Sequence, residues 1–177
     1  APQTAYANLY INGELHGLYT LVEQVDSEFL EQNFDNPDGD LYKPDTTDVT
    51  NGVGNDLLWI DDLYESYTAV ELKTNEDSTD NEALITFLDE LNNGSDYESV
   101  MDVDAILRYL AVSTALSNLD SYQGSLAHNY YIYENSNSFS VIPWDFNESF
   151  GTFAMGCTSD ELINLYIDEP TSGALDE

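Results

Sequence analysis

Hydrophobic positions along this chain recur with two periods, and each stretch of period two is closed by turn chemistry. Residues 5–11 and 14–22 flank Asn12-Gly13, a dipeptide suited to a tight two-residue turn, and predict a β-hairpin. On its first strand Ala7, Leu9 and Ile11 alternate with Tyr6, Asn8 and Tyr10; on its second, Leu15, Gly17, Tyr19 and Leu21 share one face. After Glu23-Gln24-Val25-Asp26, the run SEFLEQNF reads as a short helix capped by Asp26 or Ser27. Asn36-Pro37-Asp38-Gly39 then turns the chain into a short strand, DLYKP.

Residues 45–62 are polar and glycine-containing and read as a surface loop, followed by a strand, TAVELKT, at 68–74. Period 3.6 takes over from about residue 81 to 92. There Leu84, Leu88 and Leu91 lie on one face, Thr79 and Glu82 have capping-box spacing, and Gly94 sits past the end. A longer helix starts near Asp102, with Val103, Ile106, Leu107, Leu110 and Thr114 at core spacing, and ends near Asn118. HNYYIYE–NSNS–FSVIPWDF is a second hairpin, and a last helix is expected around 159–167. Hairpin, helices, hairpin, helix is an α+β order, not an alternating β-α-β one. No internal repeat is visible.

Composition narrows the classes. The 177 residues suffice for one domain with a core, or for part of a larger domain. Hydrophobic residues make up 42%, with 13 Tyr and 7 Phe, so the chain is no disordered acidic tail. Against 35 Asp and Glu stand only Lys43, Lys73 and Arg108, a net charge of −32. The plain reading of that charge is folding in high salt, which screens repulsion over roughly 8 Å already at physiological strength. The alternative is a set of calcium sites. Nucleic acid and anionic lipid are disfavoured as partners, because no basic patch exists to meet phosphates. No apolar run is long enough to predict membrane insertion. Cys157 is the only cysteine, which excludes an intrachain disulfide.

Candidate chemistry concentrates between Asn118 and Gly151. Asp120 follows the long helix and Asp145 ends the last strand, directly after Pro143-Trp144, so a rigid hairpin separates two acids. Phosphoryl transfer needs such a pair: one carboxylate to orient the attacking hydroxyl, another to hold the metal that neutralises the phosphates. With so many acids any chosen pair is weak alone, and both could be ordinary cap or turn residues. His128-Asn129 between them strengthens the case, since an imidazole and an amide there read as metal, nucleotide or loop-positioning groups. Other signals fail. An EF-hand register around Asn36-Pro37-Asp38-Gly39-Asp40 would put Phe34 at the first ligand position. Gly52-Val53-Gly54 lacks a third glycine, and no G-x-S-x-G supports hydrolase chemistry. His16, just past a turn, is read as structural.

The runs YINGELHGLYTLVEQVD, GDLYKP, NLDSYQGSLAHNYYIYEN, VIPWDFNESFG and DEPTSGAL lie in order along the chain. In these it resembles the spore-coat protein H (CotH) kinases, an atypical branch of the protein-kinase-like fold. The resemblance implies a partial α+β kinase-like domain: residues 1–26 as the last N-lobe hairpin and hinge, 27–177 as part of a helical C-lobe. It implies ATP and Mg²⁺ as cofactors and a Ser- or Thr-bearing protein as substrate. Asp120 would orient the substrate hydroxyl, and Asp145 would bind Mg²⁺, with WDF standing where kinases carry DFG. Backbone groups of Glu23 and Val25 would meet the adenine edge, and Lys43 would be a phosphate-side cation, with an ordinary surface lysine as the alternative. A secreted, cell-surface or spore-coat location would follow from family habit more readily than a cytoplasmic one.

The resemblance has departures. Kinases place a metal-binding Asn five residues after the catalytic Asp, but position 125 is Ser; Asn129 is the nearest substitute, beside His128. The few residues before the hinge leave no room for a glycine-rich loop or its lysine-bearing strand, so the 177-residue piece alone is expected to have little or no activity. A competing reading is a non-catalytic acidic surface or adhesion module that binds cations or a partner protein.

Overall fold

The structure, a computed structural model, describes residues 1–45 and 53–165. The middle of the predicted 45–62 loop, the end of the last predicted helix and DEPTSGAL lie outside the described residues. The class is α+β: among the described residues there are two antiparallel sheets, one of two strands and one of four, with four α-helices.

The small sheet pairs β1 (Thr4–Ile11) with β2 (Glu14–Val22). Asn12 and Gly13 both have positive φ, 52° and 86°, which gives the turn the twist its strands need. The register shifts between Leu9 and Tyr10, where Leu9 faces Gly17 and Tyr10 faces Leu15, so His16 is the extra residue of a bulge. Both faces of this hairpin are open: Tyr6, Tyr10, Leu15, Leu18 and Leu21 are all exposed.

The large sheet runs β4 (Val70–Leu72), β3 (Leu41–Pro44), β5 (Tyr130–Asn135), β6 (Ser138–Pro143), in that spatial order. Alternation along β5 splits the interior in two. Tyr130 and Ile132 join Tyr42, Phe139 and Val141 in the larger core, packed against α2 (Glu82–Asn93) and α3 (Val103–Ala115). Tyr131 and Tyr133 join Leu41 and Ile142 in the smaller core, against Val25, Phe29 and Leu30 around α1 (Ser27–Asn33). A strand buried on both faces reads as a continuous apolar run, as YYIY does. The Phe87 and Phe139 rings stack 4.6 Å apart and join α2 to β6.

Three local expectations are corrected. Thr79 caps nothing; α2 starts after Asn81 with no side-chain cap, and Thr79 instead donates its hydroxyl to Asp40, 39 residues away in sequence. In α3, Leu107 is exposed while Tyr109 and Ser113 are buried, so the core stripe lies one position further round the helix. The predicted strand at 68–74 shrinks to Val70–Leu72. Asp26 caps α1, its carboxylate accepting from the N–H groups of Glu28 and Phe29. Among the described residues no helix is long and apolar enough to cross a membrane.

Candidate functional site

α3 ends at Ala115, and a tight loop leads from it to β5. Ser117 takes a left-handed φ of 48°, and successive turns follow, with Gly124 N–H donating to Ser121 O and Ala127 N–H to Gly124 O. Gly124 is required by close approach, because a Cβ there would stand 1.7 Å from the Leu119 carbonyl oxygen. Ala127 and Asn129 also have positive φ, 42° and 59°, a conformation that costs a residue with a Cβ about 1–2 kcal/mol.

That unusual backbone folds His128 and Asn129 back over Asp120. His128 Nε2 lies 2.7 Å from Asp120 Oδ1. The Asn129 amide donates to Asp120 Oδ2 at 3.0 Å and to the Asp120 backbone oxygen at 2.9 Å. The carboxylate can only accept, so the close contact puts the imidazole proton on Nε2. Asp120 and His128 are each about one-sixth exposed, with side-chain accessibilities of 16% and 17%. Asp120 is therefore held in one orientation by two donors, with lone pairs left for a third. Asn129 spends its nitrogen on Asp120, which leaves its side-chain oxygen as the atom for a cation.

Asp145 stands across a short bridge. Trp144 N–H donates to Asn129 O at 3.2 Å, so the residue before Asp145 is pinned to the residue that holds Asp120. Two more bonds join the same loops, Phe150 N–H to Leu116 O at 2.6 Å and Gly151 N–H to Ser117 O at 3.2 Å. Asp145 has a left-handed backbone, φ 53° and ψ 59°, is exposed, and its carboxylate takes no hydrogen bond from the helical turn it opens.

A cleft of about 490 Å³ opens beside it. It is lined by Thr4, Thr20 and Val22 of the first hairpin, Val112 of α3, and Trp144 and Asp145. Its volume falls in the range of small-molecule sites. The sequence offers little sign of these lining residues. Val112 is an apolar residue off the core stripe of α3, and Thr20 and Val22 are alternate positions on a hairpin strand whose covering element the sequence does not display.

The remaining predicted residues sit apart from Asp120. Glu23 N–H donates to Gln3 O at 2.9 Å, and its carboxylate accepts from Gln3 N–H at 2.8 Å, so it closes the hairpin base. Val25 is buried in the smaller core. Neither is among the residues lining the cleft. Lys43 pairs with Asp45 at 3.0 Å and stands 5.9 Å from the centre of the Tyr131 ring. Burial acts to lower its ammonium, but Asp45, with Tyr131 and Glu71, outweighs that and raises it. Tyr131 in turn meets Trp144 edge-on at 5.7 Å, which connects Lys43 to the cleft wall through two aromatic rings.

The residues can be tested against the cofactors. No three His, Cys, Asp or Glu side chains converge among the described residues, so the protein alone does not cage a metal there. Mg²⁺ does not ask for that; it binds through one or two protein oxygens and takes the rest from phosphates and water. The exposed Asp145 offers one such oxygen, and the Asn129 side-chain oxygen, not spent on Asp120, is a second on the adjoining loop.

Fold and site together define a small α+β domain with an ordered carboxylate, Asp120, on one loop and an exposed carboxylate, Asp145, on the adjoining turn, where only Asp145 lines the cleft. Residues 1–173 match the family model described as CotH kinase protein, and the chain belongs to that family. It is also 28% identical over 162 residues to the inner spore coat protein H of Bacillus subtilis (strain 168), an alignment covering 85% of this chain. The chain spans 42% of the length of that relative.

Proposed function

We propose that this chain carries the catalytic centre of an ATP- and Mg²⁺-dependent protein serine/threonine kinase with an atypical kinase-like fold, of which it forms part. The observation that carries the reading is the linked pair of acids: Asp120 fixed by His128 and Asn129, and Asp145 on the wall of the cleft, one residue from the Trp144–Asn129 bond. Family membership supports the same reaction class.

In this reading Asp120 accepts a hydrogen bond from the substrate Ser or Thr hydroxyl and orients its oxygen for attack. His128 and Asn129 keep the carboxylate from rotating away, so the geometry is set before substrate arrives. Asp145 and the Asn129 oxygen hold Mg²⁺, which when bound neutralises charge on the nucleotide phosphates. Trp144, Phe146 and Val22 give the cleft an apolar side suited to a base or ribose. Lys43 is the candidate phosphate-side cation, and a nucleotide phosphate would compete with Asp45 for it. Because the hairpin is open, the 177-residue chain by itself transfers little or no phosphate.

Calorimetry with Mg·ATP tests the reading. Nucleotide binding that requires Mg²⁺ and is lost in Asp145→Ala supports it. Calcium binding with no response to nucleotide would instead mark a non-catalytic acidic module.

A further inference from the structure

Four buried polar side-chain atoms belong to residues close to where the Asp120 loop meets the Asp145 turn. Ser113 Oγ, Ser149 Oγ and both side-chain atoms of Asn118 are buried and meet no hydrogen-bond partner among the described residues. Their residues are only 1%, 4% and 1% exposed in that order. All three flank one junction. Asn118 N–H donates to Ser113 O, and Phe150 N–H, next to Ser149, donates to Leu116 O. Asn118 also anchors the loop beyond it, because its backbone oxygen accepts from Ser121 Oγ at 2.6 Å.

Buried polar groups are almost always satisfied, by protein or by ordered water. The kind of ligand follows from the kind of atom. Asn118 presents an orphan acceptor and orphan donors together, and the two hydroxyls can act as either. A cation would satisfy the oxygens and repel the amide hydrogens; an anion would do the reverse. Only a ligand that both donates and accepts meets all of them. We infer that ordered water is built into this junction, bridging Asn118 to Ser113 and Ser149 and locking the Asp120 loop to the Asp145 turn. The main-chain bonds set the spacing of the two loops, and the water fills the polar gap they enclose. The inference concerns the junction itself and holds whichever reaction the site performs.

A shared ligand makes the three side chains interdependent, whereas separate groups contribute separately. Urea unfolding of Ser113→Ala, Ser149→Ala and the double variant reads this directly, since each change removes a single oxygen. Each single change should lower the midpoint, and the double should fall short of the sum, because the first loss already releases the water. Additive shifts would overturn the inference. Where Asn118→Ala also folds, it should show the same shortfall with Ser149→Ala. A crystal structure of the chain supplies an independent check. Density for a water within hydrogen-bond reach of Asn118 and one of the hydroxyls supports the inference. Direct bonds between the side chains, or a dry junction, would refute it.

Discussion

The molecule contains two β-hairpins written in the same local language and placed in opposite surroundings. Both turn on a pair of left-handed residues, Asn12-Gly13 at φ 52° and 86°, Ser136-Asn137 at 60° and 66°. Both are rich in tyrosine and in branched aliphatic residues, Leu and Ile in the first, Ile and Val in the second. Yet β5–β6 is buried on both faces, Tyr130, Ile132 and Tyr133 being fully inaccessible, while Tyr6 and Leu18 of β1–β2 are 80% and 68% exposed. Turn chemistry decides that a hairpin forms; it says nothing of what covers it. The difference is also one of task. The buried hairpin carries the rigid end of the site, with Asn129 before it and Trp144-Asp145 after it, and the open hairpin supplies only part of the cleft lining.

The contrast can be broken most severely at its buried member. Phe139→Ala removes a ring that is 1% exposed and stacked on Phe87, and it should cost about 3–5 kcal/mol. Chemical denaturation checks this; a loss under about 1 kcal/mol would mean the core tolerates the cavity. Alkali should act on the same region. Burial pushes the Tyr42 and Tyr130 phenols far above their ordinary value of 10.0, and Asp40 and Tyr122 respectively add to it. The unfolded chain ionises these phenols and the folded chain does not. Stability is therefore full below about pH 10 and falls as pH rises beyond it. Phenolate absorbance should rise together with loss of circular dichroism; ionisation in the still-folded protein would contradict the burial.

Smaller effects test the link between the two regions. Asp26→Ala deletes the cap of α1, which follows the open hairpin and packs into the smaller core. Its expected cost is about 1 kcal/mol, read from the thermal midpoint. Smallest of all, Tyr6→Ser on the open face should change stability by no more than about 0.5 kcal/mol. A large loss there would show that the hairpin is packed against something in solution.

Much of this was legible from local chemistry. Both hairpin turns, the Asp26 cap and the apolar face of α2 are short-range features, and the sequence displays them. What it hid are effects of distance. Thr79 has capping-box spacing, but Asp40, the residue before β3, claims its hydroxyl. Leu107 keeps core periodicity, yet nothing packs over it. In the site, Asp120, His128 and Asn129 meet because they close one short loop, so their proximity could be read from spacing. That Asp145 joins a cleft with Val22 and Val112 could not, since those walls come from distant elements. Nor does spacing reveal that the Glu23 N–H donates to Gln3 at the base of the first hairpin.

In the proposed reading Asp120 and Asp145 have different tasks at one site. Transfer of labelled phosphate from ATP to protein by the full-length parent tests this most directly, comparing wild type with Asp120→Asn and Asp145→Ala. Each substitution should lower transfer by about 100-fold or more, with Mg·ATP binding lost in Asp145→Ala and retained in Asp120→Asn. Undiminished transfer in both variants would contradict the account.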